Sequence, residues 1–131
     1  MSSLRFMEQA IADILSDGLD DWQYLAALEW SVIEAARDEG VDLAPGEDSD
    51  PKFEDRVASV LSVIAELFRR GLIVPGGLGP EFLQWRGNAD QWLERIERDW
   101  RSLGRPASIS DVAWFANTSE GNHIAASDDL Q

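Results

Sequence analysis

The first third of the chain carries two segments in which apolar side chains recur at helical spacing. This spacing predicts a first helix that is capped by Ser3 and ends at Gly18. A second helix is predicted to follow, with Asp20 or Asp21 as its N-cap and Gly40 at its end. The predicted buried faces consist of Leu4, Met7, Ile11 and Ile14 in the first helix, and of Trp22, Leu25, Ala26, Val32, Ile33 and Ala36 in the second.

The third predicted helix has the longest apolar repeat in the chain. We predict that Asp50 caps it, that Pro51 occupies its first helical position and that Gly71 follows its last turn. Leu61 lies at the centre of the repeat, so we expect its side chain in the middle of the core. The predicted buried face consists of Phe53, Val57, Val60, Leu61, Ile64, Leu67 and Phe68.

The second half of the chain combines short extended segments with two further helices. The predicted strands are 72–74, 82–85 and 112–116. The first of them is predicted to end at the sequence Pro75, Gly76 and Gly77. Asn88 and Gln91 are predicted to cap a fourth helix, which ends at Gly104. Ser108 with Asp111 is predicted to cap a single turn, and Thr118 is predicted to cap a closing helix. The fourth helix is predicted to bury Trp92, Leu93, Ile96, Trp100 and Leu103. This order of elements predicts a mainly α fold of the α+β class.

The residues around the first and last of these strands resemble a known family. The stretch AELFRRGLI leads into the first strand, and VAWFANTSEG contains the last strand and a turn over 117–121. Both stretches resemble the winged-helix domain, in which two strands form the wing. The resemblance implies a winged-helix-like helical core with a small two- or three-stranded β element. It also implies that 75–104 is a helical insertion, where a DNA-contacting wing has a short basic hairpin. The length of 131 residues predicts a single domain over 1–131.

Negative charge is concentrated in the first part of the chain. The formal net charge is −14, and residues 1–50 hold thirteen acidic but only two basic side chains. Within this part, the segment 41–50 (VDLAPGEDSD) has no periodicity and is predicted to be a solvated acidic loop. Such a surface repels phosphate backbones and attracts basic proteins, and the competing interpretation is an ordinary solvated surface.

These features favour a non-catalytic protein-binding module over an enzyme. His123 is the single histidine and the chain has no cysteine, so neither a Ser-His-Asp triad nor a thiolate zinc site can be assembled. The acids of 47–50 lack the rest of a calcium-loop pattern, and we expect neither a metal nor a cofactor. Trp30 lies off the apolar face of its helix and is the expected aromatic anchor. The predicted partner site consists of Asp20, Asp21, Trp30, Asp42, Glu47 and Asp48.

In size and charge, the chain resembles small acidic bacterial immunity proteins. The resemblance implies a protein that binds a basic toxin or nuclease and covers its active site. Because the chain has no cysteine and no apolar run long enough for a membrane span, we expect it in the cytoplasm and away from membranes. The pattern specifies no oligomeric state.

A winged-helix DNA-binding transcriptional regulator is the alternative. The polar positions of the third helix are nearly balanced in charge, with Lys52, Arg56, Arg69 and Arg70 against Glu54, Asp55 and Glu66. Because a DNA-contacting helix needs a clear excess of basic or amide side chains, we do not expect tight DNA binding. A second basic candidate surface consists of Arg86, Arg95, Arg98, Arg101 and Arg105. We favour the interpretation that these arginines pair with Glu94, Glu97 and Asp99 along a solvated helix face.

Overall fold

The computed structural model of the protein describes residues 4–19, 21–108 and 112–129. Within these ranges the chain forms five helices and four strands, which confirms the mainly α, α+β class. In chain order they are α1 (Leu4–Asp17), β1 (Gln23–Tyr24), α2 (Leu25–Asp38), α3 (Phe53–Arg69), β2 (Ile73–Leu78), β3 (Phe82–Gln84), α4 (Ala89–Leu103), β4 (Trp114–Asn117) and α5 (Ser119–Asp129). No helix in these ranges is both long and apolar enough to cross a membrane. The predicted caps at Ser3, Asp20 and Asp111 lie outside the described residues.

The core forms where α1, α2 and α3 pack on one another and on the sheet. The apolar face of α3 is buried along most of its length, as the repeat predicts. Leu61 is an exception, because its side chain is only half-buried at the border with α4. The predicted buried face of α1 has an exception of its own, because Leu4 is exposed at the start of that helix and Phe6 is buried instead. The fully buried side chains of α3 are Arg56, Val57, Val60, Val63, Ile64 and Leu67.

The four strands form one antiparallel sheet in the order β1-β4-β2-β3. The sheet has more strands than predicted, because Gln23 and Tyr24 pair with β4 before α2 begins. Consequently α2 starts at Leu25, and the prediction that Trp22 packs in the core as part of this helix is wrong. The Trp22 side chain is 40% exposed and its ring contacts Phe82.

The strand β2 does not end at the Pro-Gly-Gly sequence, as predicted, but runs through it to Leu78. Pro75 has no N–H to donate, yet its carbonyl accepts a hydrogen bond from the Trp85 N–H at 3.0 Å. A Cβ atom on Gly76 would lie 2.4 Å from the Leu83 carbonyl oxygen. Glycine is therefore required at position 76 because β3 lies so close to β2. The glycines that predict a turn in the sequence instead allow two strands to approach closely.

The helix α4 has the predicted caps. The Asn88 side chain accepts a hydrogen bond from the Gln91 N–H, and the Gln91 side chain accepts one from the Asn88 N–H. At the other end, Gly104 ends the helix with a φ of 63°. The helix packs against α3 through two edge-to-face aromatic pairs, Phe68–Trp92 and Phe53–Trp100. These contacts place α4 over a side of α3 that would otherwise face solvent.

The last helix follows β4 directly, and its predicted cap is confirmed. The Thr118 Oγ1 accepts a hydrogen bond from the Gly121 N–H at 3.1 Å. The same hydroxyl donates to the Gly71 carbonyl at 2.7 Å, which ties the cap to the end of α3. The helix then packs on α1.

Candidate functional site

The structure places five of the six predicted partner-binding residues, and it divides them between two regions. Asp20 lies outside the described residues. Asp21 precedes β1, where its side chain accepts a hydrogen bond from the Trp22 N–H at 2.8 Å and lines a hollow of about 430 Å³ beside Asn117. Trp30 is on α2, beside the loop that carries Asp42, Glu47 and Asp48. This second group, together with the side chains beneath the loop, forms the candidate site.

Trp30 stands at the edge of a small hollow between α2, the loop 41–50 and the segment after α4. Its side chain is 55% exposed, as its position off the apolar face predicts. The hollow, called here the Trp30 hollow, has a volume of about 250 Å³. Its lining residues are Ala26, Glu29, Trp30, Ile33, Pro45, Pro106 and Ala107. An exposed indole thus lies beside a mostly apolar depression, and that depression is bordered by an acidic loop.

The acids of the loop differ in how far their charges are already compensated. The Asp42 side chain accepts from the Ala44 N–H at 3.0 Å and lies 3.3 Å from the Lys52 Nζ. These two contacts lower the pKa of Asp42. Glu47 and Asp48 are exposed, and within the described part of the chain they form no hydrogen bond or ion pair. The negative charges available to a partner in this loop are therefore those of Glu47 and Asp48.

A buried ion cluster, called here the Arg56 cluster and consisting of Glu29, Asp50 and Arg56, lies beneath the loop. The Arg56 side chain is 0% exposed. Its Nε donates to Glu29 Oε2 at 2.5 Å, and its two terminal nitrogens donate to the Asp50 carboxylate at 2.9 and 2.5 Å. One of these nitrogens also donates to the Leu43 carbonyl at 3.1 Å. Arg56 therefore joins α3 to α2 and to both ends of the acidic loop.

Glu29 extends the Arg56 cluster to a distant part of the chain. Its second oxygen accepts a hydrogen bond from the Ala107 N–H at 3.0 Å, so the segment after α4 is fixed to α2. Burial raises the pKa of Glu29, against the opposing effect of the Arg56 and Ala107 hydrogen bonds. By contrast, the hydrogen bonds from Arg56 lower the pKa of the less buried Asp50.

Sequence reasoning misassigned two members of this cluster. Arg56 was expected among the outward polar side chains of α3, and Asp50 was expected to cap that helix. Instead the N-cap position is Lys52, which makes no side-chain cap hydrogen bond, and the Asp50 carboxylate binds Arg56. A signal for this is present in the spacing, because Arg56 lies three residues after Phe53 and four before Val60, on the apolar face.

Three of the five arginines of the second basic candidate surface, Arg95, Arg98 and Arg101, lie on α4 and pair with acids of the same helix, as the favoured interpretation states. Arg95 lies 3.8 Å from Asp99, Arg101 donates to Glu97 at 3.0 Å, and Arg98 donates to Asp99 at 3.2 Å. Arg101 also binds Glu54 on α3, and the Arg95 guanidinium lies 3.7 Å from the centre of the Trp85 ring. The charges of these three arginines are therefore compensated in large part within the chain.

The described residues contain no group of three or more potential metal-ligating side chains. His123 is exposed on α5. The chain matches no protein-family model, no curated protein and no solved structure.

The ion pair between Arg56 and Asp50 has a predictable pH dependence. Because the pKa of Asp50 is lowered from its ordinary value of 3.8, the carboxylate stabilises the fold above that value, and this contribution is lost as the pH falls through the folded-state pKa. We expect Asp50→Asn to be less stable than the parent at neutral pH, with the difference closing below pH 3.8. Urea unfolding of both proteins across this pH range measures the difference. Asp48→Asn is the control, since Asp48 is exposed and unpaired, and a pH-independent deficit for Asp50→Asn would contradict the assignment.

Proposed function

We propose that this protein is a non-catalytic, acidic protein-binding module of the immunity type, which occludes the active site of a basic toxin or nuclease. The observation that carries the proposal is the arrangement of Glu47 and Asp48. They are exposed and unpaired, on a loop that Arg56 holds at both ends, beside the exposed Trp30. A charged surface that is already ordered loses little conformational entropy when a partner binds.

Each part of this surface has a distinct role in the proposed complex. The unpaired carboxylates attract a basic active-site cleft from a distance, because complementary potentials accelerate the encounter of two proteins. They then occupy positions that the anionic groups of a substrate would take. Trp30 supplies the apolar contact area that slows dissociation, as exposed aromatic anchors do in many interfaces. Occlusion of this kind requires no catalytic group.

The winged-helix resemblance supplies the scaffold in this proposal. It is supported by the antiparallel pairing of β2 with β4, which correspond to the two predicted wing strands. The DNA-binding alternative is weakened by two features of that scaffold. Arg56 is buried, and α4 packs against the side of α3 that would otherwise be open. The Arg101–Glu54 pair ties the two helices together, so α3 presents no free basic face for a groove.

We expect the double substitution Glu47→Lys, Asp48→Lys to slow association with a basic partner and to reduce the salt dependence of the association rate. Both effects follow because the substitution reverses the charges that steer the encounter. The partner is first sought by mass spectrometry of proteins that copurify with this chain from its native host. Association rates are then measured by surface plasmon resonance at several salt concentrations.

The matched control is Asp90→Lys, Glu94→Lys, an equal charge reversal at exposed positions of α4. If both double variants associate equally slowly, net charge rather than the loop controls binding. If the loop variant binds as fast as the parent, the loop is not part of the interface. Tight, salt-sensitive binding of duplex DNA by the parent protein would instead favour the regulator.

A further inference from the structure

The Arg56 cluster has one more negative than positive charge. It contains two carboxylates, Glu29 and Asp50, and a single guanidinium, and Arg56 is completely buried. Of the two acids, Glu29 lines the Trp30 hollow. A buried site with net negative charge favours the approach of a further cation, because the low local dielectric strengthens the attraction.

The lining of the Trp30 hollow is apolar enough to contact the methylene groups of a long basic side chain. Trp30, Ile33, Pro45 and Pro106 provide apolar surface around the opening. At about 250 Å³, the hollow falls below the usual range of pockets for drug-sized ligands, and a single side chain is the better match. Basic side chains commonly place their methylene groups along such apolar surface while the charged head meets a carboxylate.

The Trp30 ring already lies near a guanidinium of the same chain. The Arg37 Cζ is 5.9 Å from the ring centre, a distance at which cation–π attraction operates. Arg37 is itself paired with Glu34 at 3.1 Å, so its charge is compensated on the helix surface. A guanidinium can therefore lie near the Trp30 indole. Among the described residues that line the hollow, none has a basic side chain.

We propose that the Trp30 hollow receives one arginine side chain of the basic partner, with its stem against Trp30 and Pro45 and its guanidinium directed toward Glu29. Arginine fits better than lysine, because its planar head stacks on an indole and donates several hydrogen bonds in fixed directions. Glu47 and Asp48, on the same loop, attract the basic segment that carries this arginine. The inference rests on the proposed function and names the chemistry of the anchoring contact.

The test uses three small probes with the intact protein: N-acetyl-arginine amide, its uncharged analogue N-acetyl-citrulline amide, and N-acetyl-norleucine amide. Nuclear magnetic resonance follows the Trp30 indole N–H and the Ala107 amide while each probe is titrated at constant ionic strength. We expect saturable shifts of both signals with arginine, and binding about tenfold weaker with citrulline, which lacks the charge. Equal responses to arginine and citrulline, a stronger response to norleucine, or shifts elsewhere in the protein would overturn the proposal.

Two tryptophan variants complete the test without touching the buried ions. Trp30→Ala removes the exposed wall of the hollow and is expected to abolish the arginine-dependent shift at Ala107. Trp22→Ala removes another exposed tryptophan, outside the hollow, and is expected to leave that shift unchanged. An unchanged Ala107 response in Trp30→Ala would refute the inference. Because these probes involve no partner protein, failure here is distinct from failure of the charge-reversal experiment, which tests the proposed function.

Discussion

Substitution of Arg56 by methionine is expected to lower the free energy of unfolding by about 3–5 kcal/mol. The methionine side chain fills part of the space but leaves Glu29 and Asp50 without their counterion beneath the acidic loop. Removing one partner of a buried ion pair has a large cost because the remaining charges stay out of water. Urea unfolding at neutral pH, followed by far-ultraviolet circular dichroism, measures the loss.

Arg69→Met is the matched control, because Arg69 belongs to the same helix and also pairs with an acid, Glu66, but at the surface. Exposed ion pairs contribute at most about 1 kcal/mol, so we expect little change in this variant. Equal losses for Arg69→Met and Arg56→Met would contradict the central role of the buried cluster. Hydrogen exchange provides a second measurement, since the hydrogen-bonded amides of Val41 and Ala44 in the loop should lose protection in Arg56→Met alone.

Leu67→Ala is expected to destabilise the protein by about 2–5 kcal/mol, because the Leu67 side chain is completely buried in the core and its loss leaves a cavity. Leu61→Ala removes the same atoms from the same helix, but at a half-buried position beside α4. We expect a clearly smaller loss there, since solvent and neighbouring side chains can fill the space. Thermal and urea unfolding of both variants compares them directly, and an equal or larger loss for Leu61→Ala would show that the core is centred differently.

The elements that the sequence predicts well are those with local signals at both ends. The capping box of Asn88 and Gln91, the left-handed Gly104 and the Thr118 cap are each set by residues within one turn. The apolar repeat of α3 is long enough to determine its buried face despite the misplacement of Leu61. By contrast, β1 contains only Gln23 and Tyr24, and two residues cannot establish a periodicity.

The candidate site could be predicted only in part, for a physical reason. The exposure of Trp30 follows from its angle on α2, and the exposure of Glu47 and Asp48 follows from the composition of the loop. The Arg56 cluster does not follow, because a binary pattern of apolar and polar residues assigns charged side chains to the surface. The hydrogen bond from the Ala107 N–H to Glu29 does not follow from the sequence either, because it depends on the path of the chain after α4.

The position of β4 in the sheet governs when this protein can fold during its synthesis. This strand lies between β1 and β2, pairing Gln23 with Phe115 and Ile73 with Asn117. Until residues 114–117 have emerged from the ribosome, the two-residue β1 has no neighbouring strand and β2 can pair only with β3. The four helices that precede β4 therefore have an incompletely covered apolar core until this strand is made, and the central pairings of the sheet form in a long-range step.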